Sequence, residues 1–397
     1  MFELNEEQQA VQSSVRRFAR RELRWHARKL DSAPPGVIDW DILRKSCAIG
    51  LFSASLPKPY GGTMDPLSAV IASEEIARWE AGIATLLSAN SIAQTAIALS
   101  GNTILMQRIF PAVMAAEEQQ QPILCALGLT ERRVGSDFVH PALANPAQMM
   151  VTAKRRGNAY LLSGRKAYCA GGNLATWICV FATLDEDRSP AGLTGFVIPT
   201  DAHGFHVSEV LPTMGLRGCP LVEFYVEGVI VPGDYRLTPE GEAHALIQAL
   251  SARSRYHAAA IAVGIAQGAF DLARQHTFTR VQGGGPIAQH QMVQHMLADM
   301  AMQIEAARLL TYKAATTDPP DIATSSMAKI FASDIAVKVA TDAVQLMGAY
   351  GTTIKSGAEK YFRDAKMTQI FGATNEICRL AVAMPMLRDA GIAPATS

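Results

Sequence analysis

The chain has 397 residues, 49% of them hydrophobic, enough for a large core and more than one domain. Lysine plus arginine equals aspartate plus glutamate at 36 each, so no net field draws in nucleic acid or an anionic membrane, and neither partner is expected. Six dispersed cysteines (Cys47, Cys125, Cys169, Cys179, Cys219, Cys378) form no C-x-x-C pair and read as buried thiols, and no metal site is expected. The N-terminus lacks a basic stretch leading into an apolar run, and no run of about 20 uncharged apolar residues is apparent, which predicts a cytoplasmic soluble protein.

From Asn5 to Ala126 apolar residues recur at helical spacing, as in Ala10, Val11, Val15 and Phe18, or Ile71, Ile76, Ile83 and Leu87, so residues 1–126 are expected to be all-α. The clusters from Asp31 to Gly36 and from Lys58 to Thr63 are turns inside that domain. Glu74, Glu75, Glu117 and Glu118 read as solvated helix faces. Residues 127–237 change to short β-branched and aromatic runs, such as Trp177 to Ala182, Gly195 to Ile198 and Val222 to Val231, and predict a β-domain. From 238 to 397 the helical period returns in Ala243 to Gln282, Ala288 to Thr316, Asp321 to Met347 and Asn375 to Leu387, which predicts a four-helix bundle. The fold class is α+β, and the order α, β, α names no function by itself.

Local motifs are more specific. Leu129-Thr-Glu-Arg-Arg-Val-Gly-Ser-Asp137 opens the β-domain; Met214-Gly-Leu-Arg-Gly218 and Val226-Glu-Gly-Val-Ile-Val-Pro232 follow. In the third region stand Arg280-Val-Gln-Gly-Gly-Gly-Pro-Ile287, Gln291-Met-Val-Gln, Leu297-Ala-Asp-Met300, Gln345-Leu-Met-Gly-Ala-Tyr-Gly351, Tyr361-Phe-Arg-Asp-Ala365 and Thr374-Asn-Glu-Ile377. In this order they resemble the acyl-CoA dehydrogenase family along nearly the whole chain. The resemblance implies FAD held between the β-domain and the bundle, with Leu129 and Thr130 fixing the pyrimidine side of the flavin. It places Arg280 and Gln291 on the FAD of a neighbouring subunit, Gln345, Gly348 and Thr374 around its adenosine and pyrophosphate, and Glu376 at a polar cofactor position. A homodimer or homotetramer is implied, with an electron-transfer flavoprotein or a flavin reductase as a further partner. Arg363 and Asp364 read as a structural ion pair, and His290 and His295 have no metal-ligand grouping.

The sequence also departs from the family. The base that removes the α-proton of an acyl thioester is usually a glutamate before Gly-Thr; the matching position is Gly372. A minority of members carry it before an arginine on the first bundle helix, where Ser254 precedes Arg255. Tyr168 replaces a tryptophan and Ala170 the threonine that approaches flavin N5; Ser251 and Ala252 replace two residues that help hold the pantetheine arm, and Gly283 replaces a phenylalanine. Ser136 and Arg255 match retained substrate-side positions. His257, one turn beyond Ser254, is placed by helical spacing on that face and has a pKa suited to base work, although an ordinary helix histidine is the plainer reading. Three functions follow as expectations: a dehydrogenase of an acyl-CoA or a carrier-bound acyl group with an atypical base, a flavin-dependent oxygenase or oxidase, and a non-catalytic partner subunit.

Overall fold

The computed structural model describes residues 3–135, 148–187 and 190–391. The N-terminal helices are α1 (Glu6–Phe18), a π-helical turn (Ala19–Leu23), α2 (Arg24–Ser32), α3 (Trp40–Cys47), α4 (Pro66–Ala77), α5 (Ala81–Leu99) and α6 (Thr103–Glu118). Asn5 opens α1 with a reciprocal capping box to Gln8, and Asp65 and Glu80 cap α4 and α5. α5 carries 19 residues without a charge, Ser88, Asn90, Ser91 and Gln94 among them. It packs against α4, the first bundle helix and the first strand, as a core helix does.

Strands β1 (Leu124–Gly128), β2 (Thr152–Arg156), β3 (Ala159–Ala170), β4 (Ala175–Leu184), β5 (Leu193–Pro199), β6 (Phe205–Leu211) and β7 (Leu221–Pro232) form one mixed sheet. Its order is β1-β4-β2-β3-β7-β6, with β5 also paired to β4. β1 straddles the expected 126/127 division and lies parallel to β4, so its C-terminal end delivers Leu129 and Thr130 to the face under α5. β3 and β7 pair antiparallel over almost their full length.

The bundle contains α7 (Ala243–Thr279), α8 (Gln291–Thr316), α9 (Ile322–Gly351), α10 (Ala358–Thr368) and α11 (Asn375–Asp389), with the short hairpin β8 (Val281–Gln282) and β9 (Gly285–Pro286) after α7. α10 has no counterpart in the sequence expectation, because its polar composition hides a period visible only in Ala358, Asp364, Ala365 and Thr368. α7 is buried nearly all round between Tyr256 and Ala266 and forms the axis of the bundle.

Four polar readings are corrected. Glu74, Glu75 and Glu117 are buried, and only Glu118 is exposed. Glu74 accepts from Arg308 and from the Tyr312 hydroxyl, Glu75 pairs with Arg16, and Glu117 accepts from the amides of Phe52 and Ser53. Arg363 and Asp364 do not pair with each other. Arg363 binds Asp31 and Glu359, while Asp364 accepts from Lys360 and the Leu216 amide. Lys360 also reaches Glu80, the α5 cap, so one buried cluster joins all three regions.

Candidate active site

A cavity of about 420 Å³ opens where the three regions meet. Thr85, Ser88, Ala89 and Ile92 on α5 and Ile247, Leu250, Ser251 and Ser254 on α7 line it at the i, i+3, i+4, i+7 spacing of single helix faces. Leu127, Leu129 and Thr130 form the β1 wall, Tyr168 and Ala170 the β3 wall, and Phe371 to Thr374 close the side toward the bundle. Of the residues expected at the site, the fold therefore brings together Leu129, Thr130, Tyr168, Ala170, Ser254, Gly372 and Thr374.

Two buried lysines prepare opposite walls. Lys166 Nζ donates to the Leu129 carbonyl at 3.0 Å and to Glu131 Oε1 at 2.8 Å, and neither side chain of the pair is exposed. Glu131 also accepts from the Met150 and Val151 amides, and the Ala167 amide occupies the Thr130 carbonyl. Both carbonyls are thus turned away, and the Leu129 and Thr130 amides meet no acceptor among the described residues. These donors suit the hydrogen-bonding edge of a flat heteroaromatic ring. Burial lowers the Lys166 pKa, with Glu131 opposing it.

On the other wall, Lys329 Nζ donates to the Gln369 and Ala373 carbonyls at 3.0 and 2.7 Å and to Asn375 Oδ1 at 2.7 Å. These bonds hold a loop in which Gly372 and Ala373 both take left-handed φ, 69° and 81°. Their amides, too, have no acceptor among the described residues. Burial pushes Lys329 down to about 8. Sequence reasoning assigned no role to Lys166 or Lys329; a lysine inside an otherwise apolar period was the available signal.

No carboxylate or imidazole stands among the described lining residues. The ionisable side chains there are Tyr168, 54% exposed at φ 56°, and Cys219, a thiol that burial pushes well up. Arg255, expected on the substrate side, is instead turned into the bundle. It is 1% exposed, donates to Ser326 Oγ at 2.7 Å, and has its pKa lowered by burial. Arg280, Gln291, Gln345, Gly348 and Glu376 are exposed and do not line the cavity. The ring stack of His276 on Tyr350 brings the end of α7 beside the kink at Gly348 in α9. Ser136 lies outside the described residues.

The order of the three regions and a cavity with amide donors on two walls suit a flat heteroaromatic cofactor, and the family matches say which one. The acyl-CoA dehydrogenase N-terminal domain matches residues 5–117, the middle domain 126–229 and the C-terminal domain 244–387. The chain therefore belongs to the acyl-CoA dehydrogenase family, whose cofactor is FAD. It is 35% identical to the probable acyl-CoA dehydrogenase FadE25 of Mycobacterium tuberculosis over 98% of this chain and 97% of that one. It is 36% identical to a cyclohex-1-ene-1-carbonyl-CoA dehydrogenase of Geobacter metallireducens, over 98% and 100%. The butyryl-CoA dehydrogenase of Megasphaera elsdenii superposes with a TM-score of 0.89 at 30% identity, over 98% of this chain and all of that one.

Proposed function

We propose that the chain dehydrogenates an acyl thioester, either an acyl-CoA or an acyl group on a carrier, using FAD. The supporting observation is the pairing of opposed amide donors across one uncharged cavity: Leu129 and Thr130 for the flavin edge, Gly372 and Ala373 for the thioester carbonyl. FAD, when bound, accepts the hydride that leaves the β-carbon. An oxygen polarised by the Gly372 and Ala373 amides makes the α-proton easier to lose, a contact that needs no side chain at Gly372. Tyr168 and Ala170 line the β3 wall and would cover that side of the cofactor when it is bound. The acyl group is uncharged, since α5 and the described cavity face of α7 offer no ionic partner and an unpaired charge there would be costly.

Arg280, Gln291, Gln345 and Gly348 serve the FAD of a second subunit in this reading. Exposed Met292, Met302 and Leu309 on α8 and Met327 and Phe331 on α9 supply apolar surface for a homodimer or homotetramer. Reoxidation falls to an electron-transfer flavoprotein, and the protein is cytoplasmic. A second reading, an oxygenase or oxidase on the same scaffold, draws on the lack of a carboxylate among the described lining residues.

The test is an anaerobic titration of the FAD-loaded protein with short, branched and aromatic acyl-CoAs. Bleaching of the flavin is expected; a spectrum that no thioester bleaches, together with oxygen uptake coupled to hydroxylated product, would install the second reading. Ser254→Glu should quicken bleaching, because it places a carboxylate on the cavity face of α7 without backbone strain.

A further inference from the structure

The dehydrogenase reading leaves the α-proton without an acceptor on the described cavity wall, and a second, smaller cavity bears on that gap. It measures about 30 Å³, enough for a water molecule, and lies between α4, α5 and α7. Among apolar neighbours its lining carries five polar side chains, Ser55, Ser73, Ser88, Ser91 and His257. Ser88 lines both cavities and is the one described residue they share. Its hydroxyl has no acceptor among the described residues.

His257 is 6% exposed and three residues beyond Ser254, on a neighbouring part of the α7 surface. Its tautomer follows from Ser73. Ser73 Oγ donates to the Ala69 carbonyl at 2.9 Å, which leaves the oxygen lone pairs to accept a long bond from His257 Nδ1 at 3.5 Å. Nδ1 then carries the hydrogen, and Nε2 keeps a lone pair. No charge competes for it: of the α4 carboxylates, Glu74 is taken by Arg308 and Tyr312, and Glu75 by Arg16.

We infer that His257 is the terminal proton acceptor of the reaction, reached from the substrate's α-carbon through Ser88 and one water in the small cavity. This rests on the dehydrogenase reading above. The α C–H bond breaks and its proton passes to Ser88 Oγ. The Ser88 proton passes to the water, and a water proton forms the N–H bond at His257 Nε2. The electron pair left on the α-carbon becomes the α,β double bond as the β-hydride departs to FAD, which is reduced by two electrons. Burial drops His257 to about 4, so the ring is neutral at physiological pH and its Nε2 lone pair is unprotonated before the reaction. The Gly372 and Ala373 amides lower the demand on this base by holding the developing enolate oxygen.

The experiment uses a 3-thia-acyl-CoA, which has an α-proton to lose but no β-hydride to give. Its enolate on oxidised flavin gives a long-wavelength charge-transfer band that reports deprotonation alone. The band is expected to form at least about 100-fold more slowly in His257→Asn and in Ser88→Ala, while FAD content and thioester affinity change less than about threefold. Adding Ser254→Glu to His257→Asn should restore it. Without cofactor, ¹⁵N-histidine NMR should show His257 as the neutral Nδ1–H tautomer from pH 8 to pH 5. A band of unchanged rate in both variants, or an Nε2–H tautomer, overturns this inference and leaves the dehydrogenase reading standing. If no thioester perturbs the wild-type flavin spectrum, both fall together.

Discussion

The two lysine-held walls of the cavity solve one problem with different electrostatics. Each buries an ammonium that holds backbone carbonyl oxygen, one for Lys166 and two for Lys329, beside amides left without an acceptor among the described residues. Lys166 has a full counter-charge in Glu131, which is itself held by two amides. Lys329 has neutral oxygens as its acceptors, and burial lowers it to about 8. The Lys166 wall is a closed ionic unit, whereas the Lys329 wall holds an ammonium without a hydrogen-bonded counter-charge. A buried pair is costly to break; a buried ammonium on carbonyls is cheaper to remove and sensitive to pH.

Breaking the closed unit should have the largest effect. Lys166→Met strands the Glu131 carboxylate in the core, and a loss of about 3–5 kcal/mol is expected by chemical denaturation. FAD retention should fall at least tenfold in the same variant; a protein that keeps its FAD through gel filtration would separate the pair from the flavin wall. Lys329→Met leaves two carbonyls and Asn375 Oδ1 facing a methyl group, with a loss of about 1–3 kcal/mol and weaker thioester binding, while FAD content holds.

The same lysine gives a pH test with a defined sign. Its folded pKa of about 8 lies below the ordinary 10.5, so between those values the unfolded chain binds more protons. Stability from this group therefore rises with pH across that window and is flat below about 8. The advantage of wild type over Lys329→Met should grow from pH 8 to pH 10.5 in parallel urea titrations, and a constant difference would mean that Lys329 is not depressed. The smallest effect is expected for Gly372→Ala. The added Cβ would meet Ala258 Cβ at 3.5 Å, an ordinary contact, so the cost is that of a left-handed φ, about 1 kcal/mol.

The wall residues were legible because each sits in a short motif whose neighbours fix its direction. Leu129 and Thr130 follow directly on a strand, Ser254 falls in phase with Ile247, Leu250 and Ser251, and Gly372 to Thr374 precede a helix that Thr374 itself caps. Charge was harder to place. Glu74 reads as solvent-facing until Arg308, 234 residues later, is folded against it, and no local pattern carries that information. Arg255 was harder for the related reason that its place after Ser254 says nothing of which side of a buried helix each faces. The approach of Ser88 to the His257 cavity is likewise a product of α5 crossing α7, and neither helix's own period reveals it.

Glu80 extends the argument from the site to the whole chain. It caps α5 at Ile83, takes Lys360 of α10 at 3.1 Å, and sits so near Gly218 that a Cβ there would come within 2.8 Å of it, while Gly82 meets the same loop backbone to backbone. A helix lining the cavity, a loop from the sheet and the far end of the bundle are thereby fastened at one point. The three regions that sequence divides so cleanly should then open together: amide hydrogens in α5, β7 and α10 are expected to share one exchange free energy, and the cavity to persist until the whole chain unfolds.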